Sequence, residues 1–341
     1  MKEKIKEILA KNDLLYSYFQ MWKNRHDKAY ISVIRGLRDN PNIITLHQDT
    51  MKFEKPVCLI EAGGKNDGFF ACVRWALDGL YFCDQYGFAP VIKFSDFSLY
   101  RDESFPTDRN AFEYYFEQPT DISIECLKNH SYVQYSGRNR LLAEGLNGGV
   151  NYETTDLYEE KMAEVMGNYL HFNETTRRII EERVRERIIS EDTLGVHIRG
   201  TDYKGNYKNH PTYIPPETYY PYVRQALSTG KYRKIYLATD DQEILEAFIH
   251  EFGEDNVIYA RNNQRGTGEV GVHTNQGIGR YQAGIEVICD MAALSHCRGL
   301  ISGLSQVGLM ARIFKRSRHE RYQYDKKLNM GINTSGRGFS V

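Results

Sequence analysis

From residue 193 onward the chain alternates short β-branched runs with helical stretches, and this alternation constrains the fold more than any other feature. LGVHI at 194–198 reads as a strand, followed by a helix that starts near Pro215-Pro216 and ends before Gly230. KIYLATDD is a strand ending at Asp240-Asp241, with a helix over 242–252 behind it, and NVIYA is the next strand. The polar, Gly- and Asn-rich run 261–280 is too long for an ordinary connector and is a candidate functional loop. A helix over 282–297, the strand GLIS and a last helix from about Ser305 to Phe314 complete the pattern. Strands alternating with helices predict a parallel sheet covered on both faces, in a unit over 191–341.

A second unit precedes it. In VCLIEAGGKNDGFFACVRWALDGLYFCDQYGFAPVIKF, residues 57–60 read as a strand, Gly63-Gly64 as a turn, 67–86 as a helix and 89–94 as another strand. This β-turn-α-β pattern anchors an α/β unit over 51–190. Residues 95–155 are aromatic with weak periodicity and give no assignment. A long helical stretch is expected over 155–189, with Asn173 as an N-cap. The tail after Arg316 is basic and Gly-rich and is expected to be peripheral.

Residues 1–50 read as helices and connectors. Ile5, Ile8, Leu9 and Leu15 recur at roughly helical spacing among charges. The segment is either a helix packed on the protein's own body or one lying at a membrane surface as a peripheral contact. It lacks the apolar core of a signal peptide and is too polar to span a bilayer.

Forty-four basic residues against 45 acidic ones leave a net charge of -1, so no global field marks a nucleic-acid binder, and any anion site must be local. None of the six cysteines forms a C-x-x-C pair, and several lie in apolar stretches. Buried free thiols and a reducing cytoplasm are the expectation. No His, Cys, Asp or Glu cluster has metal-ligand spacing, so no metal is expected. Oligomeric state is not fixed by these features.

Ligands of open α/β sheets bind beyond the carboxyl ends of the strands, and three polar clusters fall there. Arg199-Gly200-Thr201-Asp202 follow the first strand, Thr239-Asp240-Asp241 the second, and Ser302 to Gln306 the last. Parallel strands bring all three to one edge. An Arg at a strand tip can hold a phosphate through its planar fork, and the helix start at Ser305 offers free N–H groups to an anion. The Gly-rich turn EAGGKNDGFF, with Gly64 and Asn66, would face them from the other half. Each residue also has a structural reading: Arg199 can pair with Asp202 or Asp240, and Asp240-Asp241 can cap a helix. His197 points away from Val196 and Ile198 and is either a satisfied core histidine or a contact to a nucleotide base. On helix 282–297, Glu286 and Asp290 share a narrow polar gap between apolar faces, so Asp290 is expected to meet a donor, a protein Arg or a ligand.

The segments GVHIRGTD, IYLATDD and VICDMAALSHCRGLISGLSQV come in the order and spacing found in the α1,6-fucosyltransferases, which the chain resembles over 193–315 and less closely over 57–95. More distantly it is similar to the protein O-fucosyltransferases and α1,2-fucosyltransferases. The resemblance implies a GT-B-like fold of two Rossmann-like lobes plus N-terminal helices. The donor GDP-fucose would lie on the C-terminal lobe and the glycan acceptor towards the N-terminal one, with inverting transfer and no metal or other cofactor. It implies that Arg199 binds the donor phosphates, that His197 and Asp290 lie near guanine, that Ser305 and Gln306 open the phosphate-binding helix, and that Asp240 and Asp241 are the TDD acids. That motif is not the D-x-D of metal-dependent glycosyltransferases.

Two positions depart from the family. Gly200 stands where the α1,6 enzymes have a second Arg. Tyr203 to Asn209 contains no acid where they carry a Glu proposed as the base, and the next Glu is Glu217. The expected base is therefore Asp202, with Glu61 and Asp67 next. A different nucleotide sugar, or a non-catalytic nucleotide- or glycan-binding homologue, are the alternatives these departures suggest. A surface-polysaccharide acceptor follows from the family and not from these residues.

Overall fold

The computed structural model describes residues 18–19, 21–39, 44–47, 51–52, 54–135, 153–186, 189, 192–268 and 279–336. The 1–17 segment with Ile5, Ile8, Leu9 and Leu15, and residues 269–278 of the expected functional loop, lie outside the described residues.

The first half runs α1 (Lys28–Asp39), β1 (Ile44–His47), β2 (Met51–Lys52), β3 (Val57–Ala62), α2 (Phe69–Tyr86), β4 (Ala89–Phe94), β5 (His130–Tyr135), α3 (Asp156–Tyr169) and α4 (Glu174–Glu186). Its sheet has the order β1-β5-β3-β4, with β2 beside β5. β5, β3 and β4 are parallel, and β1 is antiparallel to β5. The expected β-turn-α-β unit is present. Gly63 turns the chain at φ +90°, where a Cβ would also lie 2.5 Å from the Cys72 sulfur, so only glycine fits between β3 and α2. β1, inside a stretch expected to hold helices and connectors, and β5, in a stretch with no assignment, are both additions. β5 reads His-Ser-Tyr-Val-Gln-Tyr, and its mixed polarity hides it from a hydrophobic pattern.

The single helix expected over 155–189 is two helices. Between them His171 accepts from the Glu117 N–H at 2.9 Å, and Phe172 bridges Phe116, which diverts backbone groups from the helix. Asn173 does cap the second helix, its Oδ1 accepting from the Thr176 N–H at 2.9 Å.

The second half runs β6 (Thr193–Ile198), α5 (Tyr220–Ser228), β7 (Lys234–Thr239), α6 (Gln242–Phe252), β8 (Val257–Ile258), α7 (Arg280–His296), β9 (Gly299–Gly303), α8 (Gln306–Ser317) and β10 (Tyr324–Leu328). All five strands are parallel, in the order β10-β9-β6-β7-β8. The tail expected to be peripheral thus supplies an edge strand. Its sequence YDKKL is too polar to read as a strand, and Arg312 fastens it by two hydrogen bonds of 2.9 Å from Nε to the Asp325 carboxylate. Lysines on an exposed edge also discourage further pairing.

Every residue of β6 is buried, as suits a central strand covered on both faces. Leu194, Val196 and Ile198 pack with Val223, Ile244 and Phe248 of α5 and α6. The opposite face belongs to a larger core that runs from Ile60, Phe69 and Tyr135 of the first half to Ile288, Met291 and Met310 of the second. One continuous apolar core therefore joins the halves. Strand order reverses between β6 and β9, and the crevice at such a switch point is where α/β sheets bind ligands.

Candidate active site

A cleft of about 490 Å³ opens at that switch point, lined from both halves. The first half contributes the turn Gly64 to Ala71, including Asn66 and Asp67, together with Tyr100. The second contributes His197, Arg199, Asp202 and Asp240 from strand tips, Glu286 and Asp290 from α7, and Ser305 and Gln306 from the start of α8. Residues distant in sequence thus share one wall because parallel strands end on one side.

Arg199 lines the cleft while it is bound internally. Its Nε donates to Asp202 at 2.8 Å, and its Nη1 lies 2.8 Å from Asp240. Burial opposes its charge, but the two carboxylates outweigh burial and hold the guanidinium protonated. Asp240 also accepts from the Gly200 N–H at 2.8 Å and the Thr201 hydroxyl at 2.6 Å, fixing the loop that carries Arg199. Asp202, the first-choice base, has an oxygen committed to this guanidinium.

Asp241 does not line the cleft, contrary to the expectation that it contacts substrate. It is fully buried, caps α6 by accepting from the Glu243 and Ile244 N–H groups at 2.9 and 3.3 Å, and pairs with Lys204 at 2.6 Å. Successive residues leaving a strand point in opposite directions, so Asp240 faces the cleft and Asp241 the helix. Asp241 also explains Gly200: a Cβ there would lie 2.4 Å from the Asp241 Cβ, leaving no room for the second Arg of the α1,6 enzymes.

Ser305 caps α8, accepting from the Gly308 N–H at 3.0 Å, and its hydroxyl is 3.1 Å from His197 Nδ1. Burial lowers the His197 pKa to about 4, so the ring is neutral at pH 7. The Gln306 side-chain oxygen is buried beside them with no hydrogen-bond partner among the described residues.

On α7, Asp290 accepts from protein donors: Tyr236 donates its hydroxyl at 2.7 Å and Asn263 its amide at 3.0 Å. Glu286 accepts from Gln282 at 3.1 Å and from the Gln264 N–H at 3.3 Å. Burial, aided by the Asp290 charge, raises the Glu286 carboxyl above the ordinary range. Of the reserve bases, Asp67 lines the cleft and Glu61 does not; Glu61 accepts from Gln134 at 2.8 Å.

His210 also lines the cleft and is not among the expected residues. A search of this loop for a carboxylate passes over it; a histidine shortly after the strand-tip motif is the signal that identifies it. Lys65, within the Gly-rich turn, and Asn263, within the polar run 261–280, also line the wall, together with Tyr203.

No family model matches the chain, and no curated protein matches it in sequence. Solved structures similar in chain path include the fucosyltransferase NodZ from Bradyrhizobium, at 18% identity over 77% of this chain and 92% of that one, with a TM-score of 0.46. NodZ alpha-1,6-fucosyltransferase soaked with GDP-fucose is similar at 17% identity over 76% and 93%, with a TM-score of 0.46. POFUT1 in complex with GDP is similar at 12% identity over 82% and 99%, with a TM-score of 0.41. At these values the functional assignment of the cleft depends on its own residues.

Proposed function

We propose that this protein is an inverting, metal-independent glycosyltransferase that moves fucose from GDP-fucose to a glycan hydroxyl, in surface polysaccharide or glycoconjugate synthesis. The observation that carries this is the meeting, in one cleft at the switch point, of the three motif segments that resemble fucosyltransferases. The start of α8 offers backbone N–H groups to a diphosphate. Across the cleft, the carboxylates of Glu286 and Asp290 form an acidic wall suited to the N1–H and N2–H₂ donor edge of guanine. Arg199 stabilises the diphosphate as it leaves, its orientation set in advance by Asp202 and Asp240.

Titration calorimetry with GDP, combined with GDP release from GDP-fucose and a panel of other nucleotide sugars, tests the proposal. GDP-fucose should be preferred, and Arg199→Ala should reduce turnover on the order of 10²–10³-fold. Unchanged turnover in that variant, or preference for another donor, sinks it. A second reading, a binding protein without catalysis, is favoured by the commitment of Asp202 to Arg199. Tight GDP-fucose binding with no GDP release, with or without glycans, would select it.

A further inference from the structure

We propose that His210 is the general base of this transfer, taking over a task that no carboxylate in its loop can perform; this rests on the glycosyltransferase reading above. Tyr203 to Asn209 contains no acid, and Asp202 is engaged by Arg199 at 2.8 Å. His210 follows directly and lies on the wall of the same cleft as Arg199, Asp202 and the facing turn of the first half.

The backbone that carries His210 is held in place. Asn206 and Asn209 take left-handed conformations, at φ 51° and 65°, which bend the chain around His210. The C-terminal segment then clamps it. The Asn209 N–H donates to Asn333 at 2.9 Å, the Asn333 N–H donates to the His210 carbonyl at 2.9 Å, and Pro211 bridges Ile332. The Asn333 side chain adds a hydrogen bond to the Tyr207 carbonyl at 3.1 Å. Tyr203 and Tyr207 flank the imidazole with ring centroids 6.3 and 6.1 Å away. Such fixing of a reactive group by its surroundings is what general-base catalysis requires.

Asp202 and Arg199 act on the charge of the ring, and the titratable Tyr203 and Tyr207 lie beside it. Burial, with help from Arg199, favours the neutral imidazole, while Asp202 favours the imidazolium that forms on proton uptake. A base of this kind is unprotonated at rest and supported once it holds a proton.

The step balances. The acceptor hydroxyl gives its proton to the unprotonated ring nitrogen of His210, and its oxygen electron pair forms the bond to the anomeric carbon. The bond from that carbon to the β-phosphate oxygen breaks, and its electron pair leaves with GDP. His210 then returns the proton to solvent. With water as the acceptor the same step gives free fucose, so the test does not need the natural glycan.

GDP release from GDP-fucose is measured for wild type, His210→Gln and His210→Ala between pH 4.5 and 8.5, alongside calorimetry with GDP. The wild-type rate should fall as pH drops through the lowered His210 pKa. His210→Gln should lose about 10²–10⁴-fold in kcat, with KM and GDP affinity within about threefold, and should lose the acid limb. Added imidazole should restore part of the His210→Ala rate. If wild type neither binds GDP nor releases it from GDP-fucose, the glycosyltransferase reading falls and this inference with it. If wild type turns over and His210→Gln keeps its rate or its acid limb, His210 is not the base and only this inference falls. Loss of GDP binding in both variants would likewise overturn it, by giving His210 a role in holding the site instead.

Discussion

His197 shows how a single side chain couples the core to the site. It sits on the central strand, 5% exposed, with Ser305 against its Nδ1. Its pKa falls from an ordinary 6.5 to about 4 because burial penalises the charged ring. The unfolded chain therefore binds a proton at higher pH than the folded one. The stability that His197 provides is fully present above pH 6.5 and is lost as pH falls toward 4. Between pH 7 and 4.5 the loss should be roughly 2–3 kcal/mol. Urea denaturation of wild type and His197→Gln at both pH values checks this; equal pH slopes would contradict it. The orientation of His197 was legible in the alternation of β6. Which carboxylate holds Arg199 was not legible there, because a guanidinium at a strand tip can reach either, and the structure shows that it pairs with both Asp202 and Asp240.

At the scale of elements, the β7–α6 junction separates two neighbouring acids into different tasks. Asp241 holds the first turn of α6 and the Lys204 ammonium, and it closes the space beside Gly200. Asp241→Ala should lose about 2–3 kcal/mol from the missing cap and the stranded cation, while GDP affinity stays within about threefold. Gly200→Arg, which restores the residue of the α1,6 enzymes, should destabilise by at least ~1–3 kcal/mol, because the new side chain meets Asp241. Denaturation curves and GDP calorimetry on both variants separate these effects; a fully stable Gly200→Arg variant would contradict the packing argument. Strands and helices of the second half were readable because their apolar runs are long enough to show a period. β5 and β10 were not, because their partners, rather than their own composition, make them strands.

The molecule as a whole is joined by the continuous core and by an ionic seam where α3 meets α8 and β10. Glu159, fully buried, lies 2.6 Å from Lys327 and 3.1 Å from Arg316, and it accepts from the Thr154 hydroxyl at 2.9 Å. Glu159→Gln should cost about 2–3 kcal/mol, less than a fully buried pair because Lys327 keeps some solvent. The halves should also unfold together: calorimetry should give one transition in wild type and one, shifted down, in the variant. Two resolved transitions would show that the shared core does not couple them. The sequence by itself determined the α/β alternation, the parallel second sheet and the placing of polar residues at strand tips, because each follows from periodicities a few residues long. Tertiary structure alone decided that Asp290 meets Tyr236, and that His210 enters the cleft while Asp241 leaves it. Those relations depend on how distant segments pack, and a local pattern holds no record of which distant group it will meet.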